Sequence, residues 1–276
     1  MALQLRRLPR VLDVAPVTRV ERDAPVPADA ERVAFVAHWS VGEHQSRSTT
    51  TLVAELQRLG YRVVVCSTST AEGPLDFAAE GVALDELTVL RRPNEGYDFG
   101  SWGVAMAARE ELLDRPYVLV VNDSLVGPFA PLDDVVADFE ATTADVWGMV
   151  ESNQFAPHLQ SFFRGFRYGV LAEPVMRQFW LDLRVIPDKF ALIQAYEFGF
   201  TEFLVQHGFS STQFVHHSEV VGEGLNPTML GWRALLGAGV PFVKRELVRN
   251  PELAPDGHRV VAVVADTYGA DVADWL

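Results

Sequence analysis

The stretch RVAFVAHWSVGEHQSRSTTTLVAELQRLGYRVVV, residues 32–65, decides the fold. Residues 33–37 and 61–65 are short, continuous apolar runs, which are typical of strands buried on both faces. Between them, residues 46–59 place apolar side chains at helical spacing, and Gly60 ends the predicted helix. A strand, helix, strand order with two apolar strands predicts a parallel sheet covered by helices.

The rest of the chain continues this alternation. The pattern predicts further strands at 87–90, 117–121 and 146–150, and helices at 102–113, 174–183 and 198–207. We therefore predict an α/β fold with a Rossmann-like, mostly parallel sheet flanked by helices. Residues 31–276 are expected to form one domain with two halves, 31–150 and 151–276.

Composition excludes several classes of protein. The chain has 276 residues, 49% of them hydrophobic, which is enough for one large core. Its apolar runs, such as 117–121, are far shorter than the ~20 residues of a membrane helix, so we expect a cytoplasmic protein. The single Cys66 excludes an internal disulfide. A net charge of -14 argues against nucleic acid as a partner.

Residues 1–30 are predicted to be a flexible basic arm, because arginines stand there among Pro, Ala and Val. A loosely ordered terminus is one interpretation. The other is that Arg6, Arg7 and Arg10 contact the anionic inner face of the cell membrane.

Polar side chains follow the predicted strands, at the edge where open α/β sheets bind ligands. His38 and Ser40 follow the first strand, Ser67 the second, and Asp123 the fourth. A carboxylate at a strand end is a suitable oxygen ligand for Mg²⁺ or Mn²⁺. The alternative is that Asp123 only caps the turn before Gly127.

The loop at 91–101 is unusual. Arg92 offers charge to a phosphate, Gly96 lets the backbone approach a ligand, and Asp98 stands near a helix start. Asn94 also belongs to this polar set. A plain helix N-cap is the alternative interpretation.

Several motifs in fixed order closely resemble the rhamnan synthesis protein F family. They are residues 92–102 (RPNEGYDFGSW), 121–124 (VNDS) with Gly127-Pro128, 145–148 (DVWG), 158–163 (HLQSFF), 196–201 (YEFGFT), 226–228 (NPT) with Trp232, and 241–244 (PFVK). The resemblance covers about residues 33–250.

This resemblance implies a GT-A-like glycosyltransferase fold with a C-terminal acceptor-side subregion. The implied activity is transfer of a deoxyhexose, L-rhamnose from dTDP-L-rhamnose, to a cell-wall, lipopolysaccharide or lipid-linked glycan. GT-A enzymes bind the nucleotide diphosphate through a D-x-D motif and a divalent cation. Here Asn122-Asp123-Ser124 replaces that motif, which puts strict metal dependence in doubt. The donor-binding residues we predict are His38, Ser40, Ser67, Arg92, Asn94, Gly96, Asp98, Asn122, Asp123 and Ser124.

Glu197 is the predicted catalytic base of an inverting transfer. It precedes a predicted helix that ends at Gly208, where many inverting GT-A enzymes carry an acidic residue. A first-turn acid favoured by the helix dipole is the alternative. Glu202, beside Phe203 and Leu204, is interpreted as part of a solvated helix face.

His158, Gln160 and Trp102 are predicted to bind the sugar or acceptor, because sugars use hydrogen bonds and aromatic faces. His158 could equally be a core residue. His217 is a candidate metal ligand near the diphosphate, and at most one of His216 and His217 is expected to serve, since neighbours on a strand point to opposite faces.

Two other functions compete with glycosyl transfer. A nucleotidyltransferase is disfavoured because residues 33–46 contain only Gly42 instead of a glycine-rich, basic phosphate loop. A noncatalytic glycan-binding or scaffold module of a polysaccharide assembly complex would not need Glu197.

Overall fold

The computed structural model describes residues 7–276, and its centre is a nine-stranded sheet. The strands are β1 (Arg19–Arg22), β2 (Arg32–His38), β3 (Arg62–Ser67), β4 (Leu87–Arg91), β5 (Tyr117–Asn122), β6 (Leu125–Val126), β7 (Val146–Ser152), β8 (His158–Leu159), β9 (Phe163–Arg167), β10 (Ser211–Val215) and β11 (Val243–Lys244). The main sheet has the order β1-β4-β3-β2-β5-β9-β7-β10, with β8 paired to β7, while β6 and β11 form a separate pair.

Helices cover both faces of this sheet. They are α1 (Val11–Val14), α2 (Arg47–Arg58), α3 (Tyr97–Ala108), α4 (Asp133–Ala141), α5 (Pro174–Leu181), α6 (Lys189–Ile193), α7 (Gly199–His207), α8 (Pro227–Leu230), α9 (Trp232–Gly237), α10 (Arg245–Arg249) and α11 (Val260–Tyr268). A π-helical turn, Gln194–Phe198, joins α6 to α7. Within residues 7–276 the longest helices reach 12 residues, and none could cross a bilayer.

The predicted fold class is confirmed. Strands β2, β3, β4, β5, β7 and β10 run in one direction, and β1, β8 and β9 run against them. The β4-β3-β2-β5 order is compatible with a Rossmann-like arrangement. Chain order reverses between β2 and β5, so the carboxyl ends of these two strands flank the crevice where such sheets bind ligands.

The apolar runs divide between the two faces of the sheet with the period of two that a strand imposes. In β2, Val33 and Phe35 join the hydrophobic cluster on one face, while Ala34 and Val36 join the cluster on the other. A third cluster, which includes Val126 and Trp275, lies under the C-terminal helices.

The predicted bounds of one helix were wrong. Helix α3 begins at Tyr97, not at Trp102, because Gly96 adopts a left-handed φ of 78° directly before the first turn. Asp98 therefore lies in the first helical turn. The stretch at 155–168 contains β8 and β9, and β9 runs antiparallel between β5 and β7.

Much of the predicted flexible arm is built into the fold. Val11 is buried against the main core, and Arg19–Arg22 pairs antiparallel with β4. Burial removes the apolar side chain of Val11 from water, and strand pairing supplies hydrogen-bond partners for the backbone of Arg19–Arg22. A loosely ordered arm would achieve neither. Arg10 forms an exposed ion pair with Asp13. Arg6 lies outside the described residues.

Candidate active site

One large cavity opens at the carboxyl ends of β2 and β5, and its volume is about 710 Å³. The residues that line it come from the loops after β2 and β5, the start of α3, the 154–162 segment, the α6 region and α10. Asp98, Asp123 and Glu197 all line this cavity. Residues that are far apart in the sequence therefore share one space, as expected for the edge of a doubly wound sheet.

Hydrogen bonds orient the two aspartates of the cavity. Its Nδ2 donates to Asp98 Oδ2 at 2.6 Å, and its Oδ1 accepts from the Ser124 main-chain N–H at 3.1 Å. Asp123 Oδ2 accepts from the Trp39 N–H at 2.7 Å. Asp98 and Asp123 each keep Oδ1 outside these hydrogen bonds, so both can contact a ligand.

The pKa values of both aspartates are raised above the ordinary value. Burial raises the pKa of Asp98 to about 6, and the neighbouring charge of Asp123 adds to the shift. Burial also raises the pKa of Asp123 to about 6, against the hydrogen bond from Trp39, which lowers it. A site that destabilises two carboxylate charges favours a cation beside them.

Basic side chains form the opposite side of the same region. Lys244 Nζ donates to Ser124 Oγ at 3.0 Å, and Arg245 Nε donates to the main-chain oxygen of Asp123 at 3.2 Å. Arg249 and Lys189 also line the cavity. Burial lowers the pKa of Lys244. The chain as a whole is acidic, yet this wall concentrates positive charge where an anion can enter.

Glu197 lies in the π-helical turn between α6 and α7. Its carboxylate accepts from the Ser161 N–H at 3.3 Å and from Ser161 Oγ at 3.1 Å. Single π-helical turns inside helices occur often at functional sites, because they push one side chain out of the regular spiral. Here the turn places Glu197 at the cavity wall.

His158 stands beside Glu197, with Nε2 3.7 Å from Glu197 Oε1. Its Nδ1 lies 2.7 Å from the carbonyl oxygen of Ala156, which can only accept, so Nδ1 carries the proton. Burial lowers the pKa of His158, and the neutral ring leaves Nε2 as an acceptor. Two acceptors thus face one space, which suits a hydroxyl that donates.

Arg164 supports this part of the site from below. It is fully buried, its guanidinium lies 4.9 Å from the ring centre of Phe200, and it donates to the main-chain oxygens of Leu159 and Gln160. Burial lowers the pKa of Arg164 to about 10, so it remains charged at neutral pH. The arginine fixes the backbone directly before Ser161, which in turn holds Glu197.

Aromatic side chains form an exposed rim at the mouth. Phe155 is 73% exposed and adopts a left-handed φ of 68°, an unfavourable conformation for a residue with a side chain. Its ring lies 5.8 Å from that of Phe190 and 6.2 Å from that of Phe198. A costly backbone conformation that presents an exposed ring is a feature of binding sites.

The structure brings many of the predicted site residues together. Those that line the cavity are His38, Ser40, Asp98, Asn122, Asp123, Ser124, His158, Gln160 and Glu197. His38 is neutral at pH 7, because burial lowers its pKa to about 4. Their chemical roles stay predictions.

Other predicted residues do not line the cavity. Ser67 is buried behind His38, with Oγ 2.9 Å from His38 Nδ1. Arg92 is buried and donates to Ser101 Oγ and to the main-chain oxygens of Ala15 and Glu95. It therefore braces the start of α3, and neither residue is available for direct contact with a ligand.

Three more predicted residues lie elsewhere. The prediction that Trp102 binds the sugar or acceptor was wrong, because its side chain is fully buried and its Nε1 donates to the Val121 carbonyl oxygen at 2.9 Å. Gly96 is the cap of α3, and Asn94 is exposed in the loop before it, outside the cavity wall.

The predicted geometry of His216 and His217 was also wrong. Strand β10 ends at Val215, His216 caps a short 3-10 helix and His217 begins it, so the two histidines do not alternate as on a strand. Their ring centres are 4.4 Å apart, and both face Glu151. His217 is not among the residues of the large cavity.

Sequence analysis missed several cavity residues. Lys189 and Phe190 lie in a segment without a recognisable motif, so the sequence carried no signal for them. Lys244 and Arg245 follow a short apolar strand, and the sequence leaves open whether they reach a diphosphate or stay in water. Asn226 precedes a helix, and its motif was interpreted as structural.

Comparisons with known proteins show which proteins the chain is similar to. The sequence model of the rhamnan synthesis protein F family matches residues 63–272. Virulence protein VirA of Vibrio anguillarum is 27% identical over 210 residues, which cover 63% of this chain and 67% of that protein. The uncharacterized protein y4gN of Sinorhizobium fredii is 27% identical over 126 residues, which cover 44% of this chain and 33% of that protein.

Proposed function

This chain belongs to the rhamnan synthesis protein F family, and we propose that it is a glycosyltransferase of polysaccharide synthesis. The donor we propose is dTDP-L-rhamnose. The acceptor is a hydroxyl of a growing cell-surface or lipid-linked glycan, and the transfer inverts the anomeric centre. The observation that carries this proposal is the single cavity in which a carboxylate pair, a basic wall and Glu197 face one another.

The diphosphate of the donor is proposed to lie between the carboxylate pair and Lys244 with Arg245. The two basic side chains are held by Ser124 and by the main chain of Asp123, so they are oriented before a ligand arrives. Negative charge develops on the departing diphosphate in the transition state. Preorganised cations stabilise that charge, which lowers the barrier to transfer.

A divalent cation fits the same place. Asp98 supplies the second carboxylate that the Asn122-Asp123-Ser124 sequence lacks, and the bond from Asn122 holds it near Asp123. Hard carboxylate oxygens are the donors that Mg²⁺ and Mn²⁺ prefer. When bound, such an ion would neutralise charge on the diphosphate.

Glu197 is proposed to take the proton of the acceptor hydroxyl. The hydroxyl oxygen then attacks the anomeric carbon, the bond from that carbon to the diphosphate oxygen breaks, and the electron pair leaves with the nucleotide diphosphate. Ser161 holds the Glu197 carboxylate, and the neutral His158 offers a second acceptor for the same hydroxyl. The exposed rings of Phe155 and Phe190 offer apolar faces on which an acceptor sugar can stack.

Donor binding is the first test. The purified protein is screened by thermal shift and calorimetry against dTDP-L-rhamnose and other nucleotide sugars, with and without Mn²⁺. Selective binding of dTDP-L-rhamnose should raise the melting temperature, because the ligand favours the native state. Failure to bind any nucleotide sugar contradicts the proposal, and selective binding of another one replaces the donor.

Glu197→Gln tests the catalytic base. We expect turnover to fall by about 10²- to 10⁴-fold, because the amide cannot accept the proton, while the dissociation constant of the donor stays within about twofold. Glu202→Gln is the matched control, since Glu202 is exposed on the adjoining helix α7 and should keep full activity. Full activity of Glu197→Gln in cells would favour the noncatalytic binding module.

A further inference from the structure

A second cluster of metal-ligating side chains lies outside the cavity. Glu151 is the penultimate residue of β7, and His216 and His217 directly follow β10, the parallel neighbour of that strand. Because Val215 pairs with Val150, the register puts the histidines next to Glu151. The ligand atoms of all three side chains lie within 4.8 Å of one another.

The distances suit a small ion. Glu151 Oε2 lies 3.6 Å from His216 Nε2 and 2.5 Å from His217 Nδ1. Tetrahedral zinc with bonds of about 2.0–2.1 Å needs ligand atoms about 3.3 Å apart. Of the two distances to Glu151, the one to His216 already suits such an ion, and the one to His217 must open by about 0.8 Å for an ion to enter.

Each imidazole also has an oxygen partner on the nitrogen that faces away from Glu151. His216 Nδ1 lies 2.8 Å from Ser218 Oγ, and His217 Nε2 lies 3.7 Å from Glu223 Oε2. In metal sites a partner at the outer nitrogen orients the histidine ring. Here the Ser218 hydroxyl and main-chain N–H both lie within hydrogen-bond distance of His216 Nδ1, and Glu223 makes a longer ionic contact with His217. The cluster thus contains two carboxylates and two histidines, whereas an ordinary surface ion pair contains one acidic and one basic side chain.

We propose that Glu151, His216 and His217 bind a divalent transition-metal ion, with Zn²⁺ favoured by the imidazole and carboxylate donors. Glu151 Oε2, His216 Nε2 and His217 Nδ1 are the ligands, and Glu223 is a positioning residue that holds the outer nitrogen of His217. Three protein ligands leave the fourth position of a tetrahedral ion open for water or another ligand.

This ion would brace one wall of the large cavity. The chain beyond His217 reaches Asn226, whose Nδ2 donates to Gln154 Oε1 at 2.9 Å, and the Gly224 N–H donates to Asn153 Oδ1 at 3.0 Å. Asn226 and Gln154 both line that cavity. The metal site is independent of the chemistry proposed there, and it does not need the protein to be a glycosyltransferase.

Cobalt is the probe, because Co²⁺ replaces zinc and its visible absorption reports nitrogen ligation. Full-length protein, stripped with a chelator, is titrated with Co²⁺ in the Asp98→Asn, Asp123→Asn background, which removes the carboxylate pair of the cavity. We expect one Co²⁺ per chain, displaced by Zn²⁺, and a Zn²⁺-induced rise in melting temperature. Absence of both the absorption band and the melting shift overturns the proposal.

Variants locate the ion. His217→Ala and Glu151→Gln should abolish the band, and Glu223→Gln should weaken Co²⁺ affinity about 10- to 100-fold. Glu223 is 90% exposed, so its replacement leaves the fold intact even if the other two variants misfold. An unchanged affinity in Glu223→Gln contradicts the positioning role of Glu223, and wild-type binding in a folded His217→Ala contradicts the assigned ligand set.

Discussion

The aspartates at the cavity show what single residues contribute to function at the expense of stability. Asp98 and Asp123 both lie in a poorly solvated place, which raises the pKa of each to about 6, and for Asp98 the charge of Asp123 adds to the shift. An unfolded aspartate has a pKa of about 3.9. The folded protein therefore binds more protons than the unfolded chain between about pH 4 and pH 6, and its stability falls as the pH rises through that window.

The substitution Asp98→Asn should remove the loss of stability that the buried Asp98 charge causes. The amide oxygen can still accept the hydrogen bond from Asn122, so the variant should be more stable than the wild type at pH 7, on the order of 1–2 kcal/mol. At pH 4 the difference should vanish, because the wild-type carboxyl is then protonated in the folded state. Urea unfolding across pH 4–7 measures the gap, with the exposed Glu80→Gln as control. A gap that does not grow with pH contradicts the raised pKa.

At the scale of elements, the sequence predicted the strands that are buried on both faces, because short continuous apolar runs are compatible with few other structures. It missed β1, whose residues Arg19–Arg22 are polar and join the sheet only through backbone pairing. It also missed the π-helical turn around Glu197, since a one-residue change of helical period leaves no pattern in side-chain type. The start of α3 depends on the backbone of Gly96 and on packing of Val11, which lies 85 positions earlier.

Gly96→Ala tests that packing. Gly96 and Gly208 have nearly the same left-handed φ, 78° and 75°, but a Cβ at Gly96 would lie 2.7 Å from Val11 Cγ2, whereas at Gly208 no atom lies within 4 Å. Gly208→Ala should cost about 1 kcal/mol of unfolding free energy from the backbone alone. Gly96→Ala should cost clearly more, measured by urea unfolding. Equal costs would show that α1 does not pack on the start of α3.

At the scale of the whole molecule, the cavity is assembled from segments that the sequence does not connect. Sequence analysis found the strand-end residues Asp123 and His38, because parallel strands deliver their carboxyl ends to one edge. Glu197 was found through the family resemblance. Lys189 and the ring of Phe190 reach the cavity only through the packing of α6, a tertiary effect that no local pattern encodes. Membership of the family explains the order of the motifs, and the sheet explains why they meet.

The C-terminal cluster gives a test of the proposal that residues 31–276 form one domain. Trp275 is 5% exposed, its ring centre lies 5.1 Å from that of Phe129, and the guanidinium of Arg47 on α2 lies 4.7 Å from the Trp275 ring. Ser48 Oγ donates to the Trp275 carbonyl and accepts from the Gly127 N–H. These contacts tie the cluster to α2, one of the two longest helices, and to the turn that follows β5 and β6.

Trp275→Ala should therefore destabilise the entire molecule and not only its last helices. Loss of a buried tryptophan costs about 3–5 kcal/mol. Because the cluster shares contacts with α2 and the turn after β5, far-UV and near-UV circular dichroism should report one urea transition, shifted to lower urea by the same amount for both probes. The conservative Trp275→Phe variant keeps most of the apolar contact and should shift the midpoint less. Two separate transitions in the wild type would show that the C-terminal cluster unfolds alone, and that the chain beyond β10 is a unit of its own.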